Sequence, residues 1–186
     1  GIGFDSGADD LEASFSGGAM TFIKKLTADG SGTTLSFVHG SSDVVLDSTY
    51  KEYLFLFKDI HHSEADRNLS FNLSIDSGSN YNVAKTTTFF YATHSEDDGG
   101  GAIEYRTGTD LAQGTGVQPM MQGIKGDNDS SGAGYMHLFN PGSTTFVKHF
   151  LCNNVLMQDN TLVQNTYIGG YGNTTSAIDA IQFSVN

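Results

Sequence analysis

The sequence predicts an all-β protein, one antiparallel β-sandwich of jelly-roll type over residues 19–186, preceded by a short N-terminal arm at 1–18. Three observations carry that prediction. Only 16% of the residues are charged, so the polar surface has to be built from Ser, Thr, Asn and Gly. The chain holds 13 Phe and 8 Tyr, which suit pleated surfaces, and 23 Gly, which suit turns, against 2 Pro and no Trp. Short apolar runs follow one another at close spacing without helical periodicity, the arrangement of many short strands in a sandwich.

Residues 1–18 carry Asp5, Asp9, Asp10 and Glu12 among Gly and Ser and read as an arm or linker. Met20–Leu26 is the first expected strand. Asp29-Gly30-Ser31-Gly32 supplies a turn, and Thr33–His39 returns as the second half of a hairpin. Tyr53-Leu54-Phe55-Leu56-Phe57 is apolar at every position, which predicts a strand buried on both faces. Next, Leu69, Phe71, Leu73 and Ile75 alternate with Ser70, Asn72 and Ser74, a period of two with one buried face. Tyr53, Phe55, Phe57, Leu69, Phe71, Leu73 and Ile75 are therefore the expected core. Leu73→Ala is expected to cost about 2–5 kcal/mol by leaving a cavity, and Ser74→Ala on the opposite face little. Asp76-Ser77-Gly78-Ser79-Asn80 supplies a turn. Further strands are expected near Thr87–Thr93, Ala102–Thr107, Val117–Ile124, Tyr135–Asn140, Thr145–Asn153, Thr166–Tyr171 and Ile178–Val185. Glu96–Gly101, Asp127–Gly134 and Asn140-Pro141-Gly142 form loops between them.

Nine basic against 21 acidic residues give a net charge of −12, which argues against a nucleic-acid-binding surface and against binding to an anionic membrane. No apolar stretch reaches the length of a membrane-spanning helix, so no membrane insertion is expected. The opening Gly1-Ile2-Gly3 reads as a processed or trimmed start. A single cysteine, Cys152, excludes an internal disulfide framework and a multi-cysteine metal site. It follows Phe150-Leu151, which predicts a buried, inert thiol.

Candidate chemistry is sparse. Asp127, Asp129 and Ser131 open like a calcium loop with Gly132 at the sharp turn, but the closing acid is replaced by Leu138, so a solvated turn is the preferred reading. His61-His62, near Glu64 and Asp66, would point to opposite faces of an extended segment and have no partner at metal-ligand spacing, so an exposed polar loop is expected. His39, His94, His137 and His149 are scattered. No G-x-S-x-G elbow occurs, Asp97-Asp98 sits in a Gly-rich loop that offers no burial, and neither Gly99-Gly100-Gly101 nor Gly169-Gly170-Tyr171-Gly172 has phosphate-loop spacing. The sequons at Asn68, Asn72 and Asn173 carry no assigned role, two of them falling in the alternating strand. Tyr81, Tyr105 and Tyr171 are expected to be exposed among Ser, Thr and Asn. Tyr105 and Tyr171 are the candidate contacts to a ligand or host surface, by stacking and neutral hydrogen bonds. No cofactor and no catalytic residue is assigned.

Several segments carry a resemblance. Tyr50-Lys51-Glu52-Tyr53-Leu54-Phe55-Leu56-Phe57, Leu69-Ser70-Phe71-Asn72-Leu73-Ser74 and Asp76-Ser77-Gly78-Ser79-Asn80-Tyr81 are three of them. Leu138-Phe139-Asn140-Pro141 and Gly170-Tyr171-Gly172-Asn173-Thr174-Thr175-Ser176-Ala177-Ile178 are the others. Together they resemble a β-sandwich domain of structural proteins of tailed bacteriophages, especially those of marine bacteria and cyanobacteria. The resemblance spans 18–186 and rests on turns and strand patterns. It implies a non-enzymatic virion protein displayed on the particle surface, as a tail-fibre or host-contact domain, with capsid (head) decoration as the alternative. It also implies partners: copies of itself, a trimer being favoured, other virion proteins, and a host surface glycan. Relatives continue past the equivalent of Phe183-Ser184-Val185 into one more strand, so either a further strand belongs there or a neighbouring chain supplies the pairing, since an unpaired edge would be a liability. A carbohydrate-binding module is the alternative from another class.

Overall fold

The computed structural model describes residues 20–159 and 161–185, so the expected arm at 1–18 lies outside the described residues. Ten strands and no helix occur among the described residues: β1 (Thr34–Val38), β2 (Glu52–Ile60), β3 (Arg67–Ser74), β4 (Lys85–Ser95), β5 (Gly101–Tyr105), β6 (Gln118–Ile124), β7 (Gly132–Phe139), β8 (Lys148–Asp159), β9 (Leu162–Gly172) and β10 (Ala180–Val185). They form two antiparallel sheets in the orders β1-β10-β3-β6 and β2-β7-β8-β9-β4-β5. The sheets face each other across one core, as in a β-sandwich. Phe71 of β3 meets Phe150 of β8 edge to face at 5.0 Å, and Phe183 of β10 meets Phe55 and Phe57 of β2 at 5.4 and 5.1 Å.

Part of the interface between the sheets is polar. A bulge in the β3–β6 pairing skips Met120, since Leu69 pairs Met121 and Ser70 pairs Pro119. The carbonyl oxygen of Met120 instead accepts Thr166 Oγ1 from β9 at 2.8 Å and Asn154 Nδ2 from β8 at 3.3 Å. Nearby, Thr87 Oγ1 of β4 donates to Gln118 Oε1 of β6 at 2.6 Å. All four side chains are buried, and these hydrogen bonds offset the cost of desolvating them.

Five sequence expectations need correction. Met20–Leu26 joins no sheet; β1 pairs β10 instead of forming a hairpin, and only Ile23 of the segment packs on the core. β2 is buried on one face. Leu54 and Leu56 are exposed, Tyr53 and Phe57 are buried and Phe55 is half-buried, because β2 is the edge of its sheet and no described residue covers its outer side. β3 shows the reverse: Ser70, Asn72 and Ser74 are as buried as Leu69, Phe71 and Leu73, because loops cross its polar face. Asn72 Nδ2 donates to the carbonyls of Tyr81 at 2.6 Å and Thr115 at 3.0 Å, and Ser74 Oγ accepts the N–H groups of Asp76 and Gly78. Ile75 leaves the strand and is 43% exposed, so it is not core. Finally, β10 is paired on both sides, by β1 and β3, and offers no open edge there.

Lys85 and Lys148 lie in one row across three strands, each opposite Gly172 of β9, and both are fully buried. Lys85 Nζ donates to Asn72 Oδ1 and the Val83 carbonyl, Lys148 Nζ to the carbonyls of Phe146 and Thr174. A Cβ at Gly172 would come within 3.2 Å of Leu73 and Val83, so the bare backbone keeps this end of the core closed. Among the described residues neither ammonium has a carboxylate partner. Burial pushes Lys85 down from 10.5 to about 8, and Lys148 in the same direction.

Two expected outcomes follow from this packing. In chemical denaturation Leu73→Ala costs about 2–5 kcal/mol. Ser74→Ala, which orphans two N–H groups, costs about 1–3 kcal/mol, and Ile75→Ala under about 0.5. A Ser74→Ala loss no larger than that of Ile75→Ala would mean the outside of β3 is wet. The second concerns pH. Lys85 binds its proton less tightly folded than unfolded, so between pH 8 and 10.5 the unfolded chain holds the extra proton and stability rises with pH. Wild type therefore gains on Lys85→Met across that window, by up to about 3 kcal/mol, and keeps a constant difference below it. Parallel stability curves for the two proteins from pH 7 to 10.5 would show that the ammonium is solvated.

Candidate functional site

Burying the inner residues of the six-stranded sheet fixes what its outer face displays, because side chains alternate along each strand. Three rows cross that face. The first runs Leu54, His137, Leu151, Gly169, Thr88 from β2 to β4. The second runs Leu56, Tyr135, Asn153, Tyr167, Phe90, Tyr105 across all six strands. The third runs Ala133, Val155, Asn165, Ala92, Ile103. None of these positions is Asp, Glu, Lys or Arg, in a chain of net charge −12. Of the fourteen large hydrophobic side chains exposed among the described residues, ten stand on this face, the three rows plus Val163 beyond them. Single exposed apolar residues are ordinary, but concentration on one face marks a contact surface.

The face has relief. Phe90 and Tyr167 stack with centroids 5.0 Å apart and planes within 8°, forming a ridge. Tyr135 rises two strands away, about 9.6 Å by strand spacing. Between them lies an open trough of about 420 Å³, with Asn153 and Leu151 of the intervening strand in its lining and Gly169, which adds no side chain, at one end. Asn153 is braced from the neighbouring strand, its Nδ2 donating to Asn165 Oδ1 at 2.9 Å. His137 stacks on Phe139 at 5.9 Å and is paired with Glu52. A second hollow of about 400 Å³ opens at the far end of the sheet, lined by Ala133, Val155, Met157, Val163 and His94.

The candidate contacts fall at the margins. Tyr105 ends the second row, half exposed, and its hydroxyl donates to Asp110 at 2.7 Å, a bond that raises its pKa. Tyr171 is half-buried beside His149, with ring centroids 6.1 Å apart. Tyr81 is half-buried too. The residues that build the trough, Phe90, Tyr135, Leu151 and Tyr167, were missed. The signal was present in Phe89-Phe90-Tyr91, where an apolar run inside an alternating Thr-rich strand leaves one ring facing outward.

The other candidates do not converge on the trough. Asp127, Asp129 and Ser131 are exposed on the loop before β7, and no group of three or more His, Cys, Asp or Glu that could hold a metal occurs among the described residues. His62, expected in an exposed loop, is buried. Its Nε2 has no partner among the described residues, and burial lowers its pKa, His61 and Arg67 acting in the same sense. The Ser95 hydroxyl and Gly99 N–H hold the Asp97 carboxyl below the usual carboxylate range, the reverse of what a general acid needs. Cys152 is buried, and burial raises its thiol pKa strongly, so it stays protonated. The sequon at Asn72 is buried in the folded chain, whereas Asn173 is exposed. Comparison with protein families, curated proteins and solved structures finds no match to this chain.

Proposed function

We propose that the chain is a non-enzymatic structural protein of a tailed bacteriophage, displayed on the surface of the virion as a tail-fibre or host-contact domain. Its fold is of jelly-roll type. Setting aside the β8–β9 hairpin leaves eight strands in two sheets of four, the strand number of a jelly roll, with the hairpin inserted between β7 and β4. The resemblance over 18–186 supports the virion setting, and its motif segments fall on β2, β3, the end of β7, the end of β9 and the turns beside them. One observation carries the contact role: an uncharged, aromatic-rich face six strands wide, on a strongly acidic chain. Its partners are copies of itself, as an oligomer for which the resemblance favours a trimer, and other virion proteins. Head decoration is the alternative placement.

A second reading, a carbohydrate-binding module for a host surface glycan, is favoured by the trough. Two tyrosine rings about 9.6 Å apart leave room for a sugar ring between them, with Asn153 below to accept or donate.

Immunogold electron microscopy of purified particles tests the virion reading. Gold on fibres or the tail tip is the expected result, and gold spread over the head would establish decoration instead. Particles free of gold, with the protein in the lysate, would sink both. For the second reading, retardation in native gels containing a neutral polysaccharide should vanish in Tyr135→Ala and Tyr167→Ala. Equal mobility of wild type with and without the polysaccharide would remove it.

A further inference from the structure

Among the described residues nothing covers the uncharged face, and its chemistry points to what does. We propose that the outer face of the six-stranded sheet is a homotypic interface, closed by the same face of a second copy about a two-fold axis. The inference rests on reading this face as a contact surface and names its partner, one second copy in place of the trimer that the resemblance favours.

Charge is the first argument. Two chains of net charge −12 repel, so copies can meet closely only where neither presents acids. The three rows centred on Tyr135, Leu151 and Tyr167 are such a place. Charged side chains stand at their margins: Glu52, paired with His137, at one end, Asp110, accepting the Tyr105 hydroxyl, at the β5 edge, and Lys58 and Asp59 at the bulged end of β2. Area is the second. The sixteen positions of the three rows, each about 4.8 by 6.8 Å, cover on the order of 500 Å² in projection, the larger part of the roughly 800 Å² per partner of a stable interface. Composition is the third. Leu, Ile and Val, which offer a sugar neither a stacking face nor a hydrogen bond, share the surface with the aromatics and favour a dry protein contact.

Symmetry follows from what the rest of the surface lacks. A head-to-tail contact, as in a trimer, needs a second, different patch on each copy. Among the described residues the remaining exposed large hydrophobics are Met20, Phe22, Ile75 and Phe146, spread over three separate segments. Among the described residues the outer face therefore has no apolar counterpart but itself. Two such sheets stack about 10 Å apart, as sheets do inside a sandwich. The Phe90–Tyr167 ridge of one copy then has the open trough of the other to enter.

Sedimentation velocity and light scattering on the full chain, over a dilution series, test this. The expected species has twice the 19.9 kDa chain mass. It tightens as salt rises, because screening removes repulsion from an apolar contact. Leu151→Glu and Val155→Glu, two exposed positions on β8, each weaken the dimer about tenfold or more, with an unfolding midpoint unchanged when measured at dilutions where the chain is monomeric. Phe146→Glu, off the face, leaves it intact. A monomer at all concentrations, a trimer, or a dimer indifferent to both β8 variants would overturn the proposal. The virion reading fails separately, on particles without gold, whatever the mass in solution.

Discussion

The carbonyl oxygen of Met120, released from the β3–β6 ladder by a bulge, is held from the opposite sheet by Thr166 and Asn154. That contact settles a choice that hydrophobicity alone would settle the other way. Along β9, Gln164, Thr166 and Ile168 point inward, while Val163 and Tyr167 point outward. A slip of one residue would bury the more apolar set. It would also strand the Met120 carbonyl and bring side chains where Gly172 lets Leu73 and Val83 close in. An unpaired buried carbonyl, costing about 1–3 kcal/mol, and backbone forced apart both oppose what the extra burial would return. Because β9 is paired along its length to both β8 and β4, its register is imposed on both neighbours.

The consequence is a partial inversion. Polar side chains from four strands, Thr87, Gln118, Asn154 and Thr166, are sealed between the sheets, where their hydrogen bonds specify one geometry. The apolar residues displaced by that arrangement appear on the outer face. Two fully buried lysines extend the same theme at the Gly172 end, each capped by neutral oxygens. A core of this kind gives up some stability for directionality, and it leaves the outer face to be covered by something else.

Strands whose pattern reports their own environment were legible in the sequence. Leu69, Phe71 and Leu73 alternate and are buried, and the turn at Asp76–Asn80 forms where it is expected, with the Asp76 carboxylate accepting the N–H of Asn80 at 2.8 Å. What a pattern cannot report is what lies on the other side of a strand. The serines and Asn72 of β3 read as a wet face, yet loops distant in sequence roof them over. Leu54 and Leu56 of β2 read as core, yet an edge strand with a bare outer side leaves them exposed. The β8–β9 hairpin was only half seen because Asn153, Asn154, Gln164 and Asn165 make its turn-proximal half look like loop, although pairing continues to Asp159 and Leu162. The trough was illegible for the same reason. It is assembled from one or two residues on each of β4, β7, β8 and β9, and only the register brings them together.

The acidic charge of the chain and the neutrality of this face are two sides of one arrangement. With 21 acidic side chains and 9 basic ones, a random scatter over the surface would put several charges on a face of this width. Keeping them off costs solubility on that face, while the charges elsewhere keep every other approach between copies repulsive. In the proposed dimer, orientation would thereby be selected twice, by attraction at one surface and by repulsion at the rest. A protein that only needed to stay dissolved would have no use for the first of these. A protein that must sit in one defined pose against its neighbours needs both, and the register of β9 supplies the surface on which the attraction acts.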